Sequence, residues 1–148
     1  MTLELGADLY EACQQIAPRH EDYAIQPIED SFDWTYLSLC DFEQLYLVVF
    51  RSLRRPEADL DLLCEHDDRA YEEASAAGGF LRYFKGHVNE RDACLSFCLW
   101  ETGEQARKAA ASASHRSAAS ITAQTYLSYT LERFLLKKEQ GRLVFERI

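Results

Sequence analysis

The sequence predicts an α+β domain with its elements in the order β-α-β-β-α-β, and three observations predict it. Residues 45–52, rich in β-branched and aromatic side chains, and 80–85, 93–100 and 126–136, short runs with several aromatic or leucine side chains, read as strands. Stretches with helical spacing, 56–77 and one beginning at Thr102, separate the first run from the second and the third from the fourth. The middle two runs are joined only by the polar loop Gly86-His-Val-Asn-Glu-Arg-Asp92, which makes them a hairpin. Such an order gives one four-stranded sheet with both helices on one face. The opposite face is then left for something else to cover, and function is expected there.

Residues 1–44 read as an N-terminal extension and 45–148 as the domain. In the extension, Leu5, Leu9, Cys13 and Ile16 fall near one face of a short helix that Pro18 ends. Ser31-Phe-Asp-Trp-Thr-Tyr-Leu-Ser-Leu-Cys40 fits a strand through the alternation of Phe32, Trp34 and Tyr36. It fits a helix equally well through Phe32, Tyr36, Leu39 and Cys40. A segment this aromatic is expected to pack on the domain or on a partner chain.

The first domain helix has Pro56 in its first turn and Glu57, Asp59 and Asp61 at the positive end of its dipole. Leu60, Leu63, Cys64, Asp67, Tyr71 and Ala74 lie on one side, Asp67 at the solvated edge of the stripe, and Gly78-Gly79 ends it. On the third strand, Leu95, Phe97 and Leu99 alternate with Cys94, Ser96, Cys98 and Trp100. The first set is the natural helix-packing face, and the second suits a cavity or an interface. Thr102 can cap the next helix, whose stripe is Ala106, Ala109, Ala110 and Ala113, with a kink expected at Ser112-Ala-Ser114. Leu143-Val-Phe-Glu-Arg-Ile148 reads as an extra short strand after a turn at Gly141.

The chain has 148 residues and a formal charge of −9, with a pI near 4.9. The only basic cluster, Arg51-Ser-Leu-Arg54-Arg55, is a strand exit followed by acids, so a nucleic-acid surface is excluded. No apolar run approaches the ~20 residues that span a bilayer, and the first residues do not read as a signal peptide. A cytoplasmic location and no membrane partner are expected. Five cysteines include no CxxC pair, and Cys94 and Cys98 on one strand stand about 13 Å apart, too far to share a metal. The cysteines therefore read as small packing residues, and no metal is expected.

The segment Gly79-Phe-Leu-Arg-Tyr-Phe-Lys85, the strand end Leu95-Ser-Phe-Cys-Leu-Trp-Glu101 and Ser112-Ala-Ser-His115-Arg-Ser-Ala118 together resemble the antibiotic-biosynthesis-monooxygenase type of dimeric α+β barrel, over residues 45–135. With Tyr129-Thr-Leu-Glu-Arg-Phe134, the chain also looks like a little-described fungal and bacterial group of similar length. The resemblance implies a ferredoxin-like domain and a homodimer in which two sheets press their open faces together. A pocket would remain between sheet and helices, or between sheet and partner. In plant polyketide cyclases of this superfamily a His at the position of His115 acts as the base. Those proteins read Pro-Ala-His where this chain has Ala113-Ser-His115, and a partner Tyr where it has Ala109.

His115 is thus the candidate base, since a neutral imidazole in an apolar pocket can take a proton from a phenol or an activated carbon. Tyr83, Arg82, Ser96, Trp100 and Tyr129 are the candidate substrate-binding residues, with Tyr83 and Trp100 as an aromatic wall, and strand phase decides which of Arg82 and Tyr83 faces inward. Tyr129 and Arg133 share one face of the last strand and Glu132 the other. The function expected is that of a small cofactor-independent enzyme. It would act on an aromatic or polyketide-like small molecule, by proton abstraction followed by cyclisation, rearrangement or oxygen insertion. The alternatives are a non-enzymatic small-ligand or stress-type protein with the same pocket, and a pure dimerisation module.

Overall fold

The computed structural model describes residues 9–58, 71–72, 74, 76, 78–111 and 125–148. In chain order it has helical residues 9–14 (α1), strand Ala17–Pro18 (β1), a 3-10 turn Tyr23–Ile25, helix Ile28–Ser31 (α2), strand Phe32–Asp33 (β2) and helix Thr35–Ser38 (α3). Strand Gln44–Arg54 (β3), a helix seen at residues 71, 72, 74 and 76 (α4), strands Phe80–Phe84 (β4) and Ala93–Trp100 (β5) come next. Helix Gly103–Ala110 (α5) and strands Tyr126–Glu139 (β6) and Arg142–Arg147 (β7) complete the chain. The stretch predicted as both strand and helix is both, in succession: β2 and then α3. Pro56 and Glu57 form a turn rather than a first helical turn, with the Ala58 N–H donating to the Arg55 carbonyl at 3.1 Å.

The sheet runs β4-β5-β3-β6-β7, every neighbour antiparallel. Its first four strands have the ferredoxin-like order. β3 lies at the centre because Leu45, Tyr46, Leu47 and Val49 are apolar enough to be buried on both faces. β7 extends the sheet through a two-residue turn at Gln140 and Gly141, both with positive φ (52° and 76°). Thr102 caps α5 as expected, its Oγ1 accepting from the Gln105 N–H at 3.3 Å. Gly79 is required where β4 begins. It has φ 85°, and a Cβ there would stand 1.8 Å from the Gln105 carboxamide oxygen.

The two sheet faces are assigned opposite to the sequence expectation. Leu95, Phe97 and Leu99 do not pack the helices. With Leu47, Val49, Phe134 and Leu136 they meet Cys13, Ile16, Ile28, Phe32, Trp34 and Leu37 of the N-terminal segment. The face expected to be open is therefore covered by the chain itself. Phe32, fully buried, lies at the centre of this contact, with ring centroids 5.0 Å from Phe97, 4.9 Å from Phe84 and 5.6 Å from Tyr23. Sinking a phenylalanine this deeply is worth about 1.5–3 kcal/mol. The helices pack instead on the alternate residues: Tyr46 and Trp100 meet Ala74 and Ala109, with Phe80, Cys98 and Ala106 at the margin.

Polar contacts fix the segment in place. Arg51 on β3 donates to the carbonyls of Ala24 (3.0 Å) and Gln26 (2.8 Å) while its Nε pairs with Glu132 at 2.8 Å. Arg82 donates to the Cys13 carbonyl at 2.8 Å, and Gln14 to the Leu81 carbonyl at 2.6 Å on the edge strand. The buried Ser31 hydroxyl shares the carbonyls of Tyr23, Gln26 and Pro27 at 2.9–3.0 Å. Trp34 Nε1 donates to Ile28 at 3.1 Å, and Lys138 Nζ reaches the Ser38 carbonyl.

This geometry has two testable outcomes. Arg51→Met strips two carbonyls of their donor and leaves Glu132 with Arg147 at 3.4 Å, and should cost about 1–3 kcal/mol in urea unfolding with faster tryptic cleavage after Arg19. Burial, followed by Cys40, pushes the Cys13 thiol up to about 12 against the opposing pull of Arg82. At pH 8 its alkylation by iodoacetamide, read by peptide mass mapping, should be at least about 100-fold slower folded than unfolded.

Candidate functional site

The strand register places the side chains on the helix side of the sheet. Phe80, Trp100, Tyr46 and Leu135 form one row across β4, β5, β3 and β6. Tyr83, Cys98, Val48 and Arg133 form the next, then Ser96, Phe50 and Leu131, then Cys94, Ser52 and Tyr129. With strands about 4.8 Å apart and rows about 7 Å apart, the last three rows make a floor large enough for two or three fused aromatic rings.

The floor is closed at one end and open at the other. Trp100 (3 % exposed) and Tyr46 (5 %) are sealed under Ala74 and Ala109, whereas Tyr129 and Leu131 are 37 % and 38 % exposed. Tyr83 and Phe80 both pack on Tyr71 of α4, at 5.7 and 5.8 Å between ring centroids. Tyr129 leans on Phe50 (6.4 Å) and Tyr126 (5.2 Å). The Ser96 hydroxyl accepts the Gly86 N–H at 3.0 Å, which fixes its position. Such a surface can hold a flat apolar molecule by ring contact and offer it hydroxyl groups at the edges.

The structure brings together Tyr83, Ser96 and Tyr129 of the sequence-predicted residues. Arg82 is on the opposite face, half-buried under the N-terminal segment, where desolvation lowers its pKa. A β-bulge between Phe80 and Arg82 sets the phase that decided this. Trp100 is core rather than wall, its ring 5.3 Å from Phe80. His115 and the expected kink lie outside the described residues.

Sequence reasoning missed two features of the covered face. Glu132 joins Arg51 and Arg147 (3.4 Å) into a cluster of three charges. An open groove of about 1440 Å³ separates the N-terminal segment from the β6–β7 hairpin, with Trp34 and Phe145 on its floor and Arg19, Asp33, Glu139 and Arg142 among its lining residues. Both depend on contacts between residues far apart in the chain. The alternation of Glu132 with Arg133 was the only available signal. Among the described residues no three His, Cys, Asp or Glu side chains are grouped to hold a metal. No described helix is long and apolar enough to cross a membrane.

A family model described as PB2B2.08-like matches residues 4–147. UPF0643 protein PB2B2.08 of Schizosaccharomyces pombe is 29% identical over 102 residues, 65% of this chain and 46% of that protein. The chain thus matches about half the length of this curated relative. Among solved structures, a Nitrosomonas europaea protein provisionally named an antibiotic biosynthesis monooxygenase is 10% identical, with a TM-score of 0.54 over 67% of this chain and 94% of that one. A Caulobacter crescentus protein with the same provisional name is 14% identical, with a TM-score of 0.53 over 62% and 89%. These similarities show that the fold is that of antibiotic-biosynthesis-monooxygenase-like proteins, as the resemblance implied.

The two ends of the floor should respond differently to truncation. Trp100→Ala should lower stability by about 3–5 kcal/mol, and Tyr129→Ala should stay within about 1 kcal/mol, both read from urea midpoints.

Proposed function

The chain belongs to the PB2B2.08-like family, and from that premise and its fold we propose that it is a small cofactor-independent enzyme acting in the cytoplasm on an aromatic or polyketide-like small molecule. The observation that carries this reading is the aromatic floor, open at Tyr129 and closed at Trp100. A planar substrate slides in at the open end and lies across Phe50 and Val48 between Tyr83 and Tyr129. His115 acts as the base. It takes a proton from a phenol or an activated carbon, and the resulting anion closes a ring, rearranges or combines with dioxygen.

The floor residues themselves are of binding type: rings, aliphatic groups, hydroxyls, thiols and one guanidinium. Proton transfer rests on His115 alone, so binding and turnover can be separated. Without a working His115 the same floor would make a small-ligand-binding protein. With the N-terminal segment in place, a homodimer has to use a surface other than the Leu95–Phe97–Leu99 face.

The test uses 1,8-dihydroxyanthrone, with calorimetry for binding and product analysis with and without dioxygen for turnover. Tyr83→Ala and Tyr129→Ala should each weaken binding about 3–10-fold. His115→Gln should leave binding within about twofold and reduce turnover by about 100-fold or more. Saturable binding that neither tyrosine substitution weakens would remove the floor from the proposal. Turnover unchanged by His115→Gln would remove the base.

A further inference from the structure

Arg133 is the one charged residue in the three rows of the floor. It stands on β6 opposite Val48, between Leu131 and Leu135, and its side chain is on the helix side. Arg51, Arg54 and Arg147 of the same sheet each meet a carboxylate, Glu132, Asp92 and Glu132 respectively. Among the described residues the Arg133 side chain makes no ion pair and no hydrogen bond. The acid on this face of β7, Glu146 opposite Leu135, is held by Lys137 at 2.6 Å. In a chain of net charge −9, a guanidinium without a carboxylate beside apolar and aromatic side chains is a local reversal of sign.

We propose that Arg133 recognises an anionic group on the ligand, a carboxylate or an ionised enol, while the ring system of the ligand lies on Phe50 and Tyr129. This rests on the floor being the binding site and narrows its ligand to an acidic planar aromatic. The planar fork of a guanidinium matches a carboxylate in two parallel hydrogen bonds. Arg133 is exposed, so an anion on a ligand entering at the open end of the floor can reach it. Arg133 is then a specificity residue for the charge of the ligand, one row away from the contact that reads its rings.

The experiment compares 3-hydroxy-2-naphthoate with its methyl ester by calorimetry at pH 7 in the intact chain. The wild type should bind the acid at least about tenfold more tightly, and the preference should shrink as salt is raised. Arg133→Gln should abolish the preference and leave the ester affinity unchanged, and Arg133→Lys should restore part of it. Equal binding of acid and ester by the wild type, or a preference that survives Arg133→Gln, would overturn the role of Arg133 and leave the floor intact. Binding of neither compound would overturn the floor, and the role of Arg133 with it.

Discussion

The seating of Phe32 on Phe97 is the interaction on which the rest of the structure depends. It joins a segment built only of short helices and two-residue strands to the centre of a five-stranded sheet. Tyr23, Trp34 and Phe84 close around the pair with mostly tilted and edge-on rings, the geometry that aromatic quadrupoles favour. The backbone of the segment makes few strand pairs, so its carbonyls need other donors. Arg51 and Arg82 provide them from the sheet, and Gln14 of the segment donates in return to the Leu81 carbonyl of β4. Apolar contact holds the segment down, and these side chains fix its path.

Occupation of that face assigns the work of the other. The helix side carries two kinds of surface. At one end the small alanines of α4 and α5 come close enough to seal Tyr46 and Trp100. Toward the other end β6 runs on with Leu131 and Tyr129 exposed. A surface that is largely apolar, ring-lined and exposed toward one end can hold a flat small molecule. The rigid sheet sets its shape, so the fold positions the floor while the choice of residues decides what it holds.

The strands were legible because short aromatic and aliphatic runs bounded by turn residues report a pleated, half-buried surface, and Gly141 reported the last turn. Faces were less legible. Alternation by two separates Leu95, Phe97 and Leu99 from Ser96, Cys98 and Trp100 but does not say which set meets the helices. The more apolar set suits helices by composition, yet the extension is the more aromatic partner and took it. A usable signal was present in the alanine stripe of α5. A helix offering Ala106 and Ala109 needs bulky residues beneath it, and Tyr46 and Trp100 on the alternate face supply them. The choice between Arg82 and Tyr83 was open for a related reason, since one irregular residue in β4 reverses the phase of the residues after it. Arg133 was visible as a residue sharing a face with Tyr129. Its lack of a carboxylate was not, because it depends on Lys137 engaging Glu146 across the hairpin.

The covalent link between Phe32 and the strand it lies over changes how this fold responds to dilution. A sheet face closed by a second molecule opens as concentration falls, whereas one closed by a short stretch of the same chain experiences an effective concentration in the millimolar range or above. Closure then becomes part of a single unimolecular folding event. Its completeness is independent of how many copies a cell holds, so each molecule can reach a finished core alone, even when scarce.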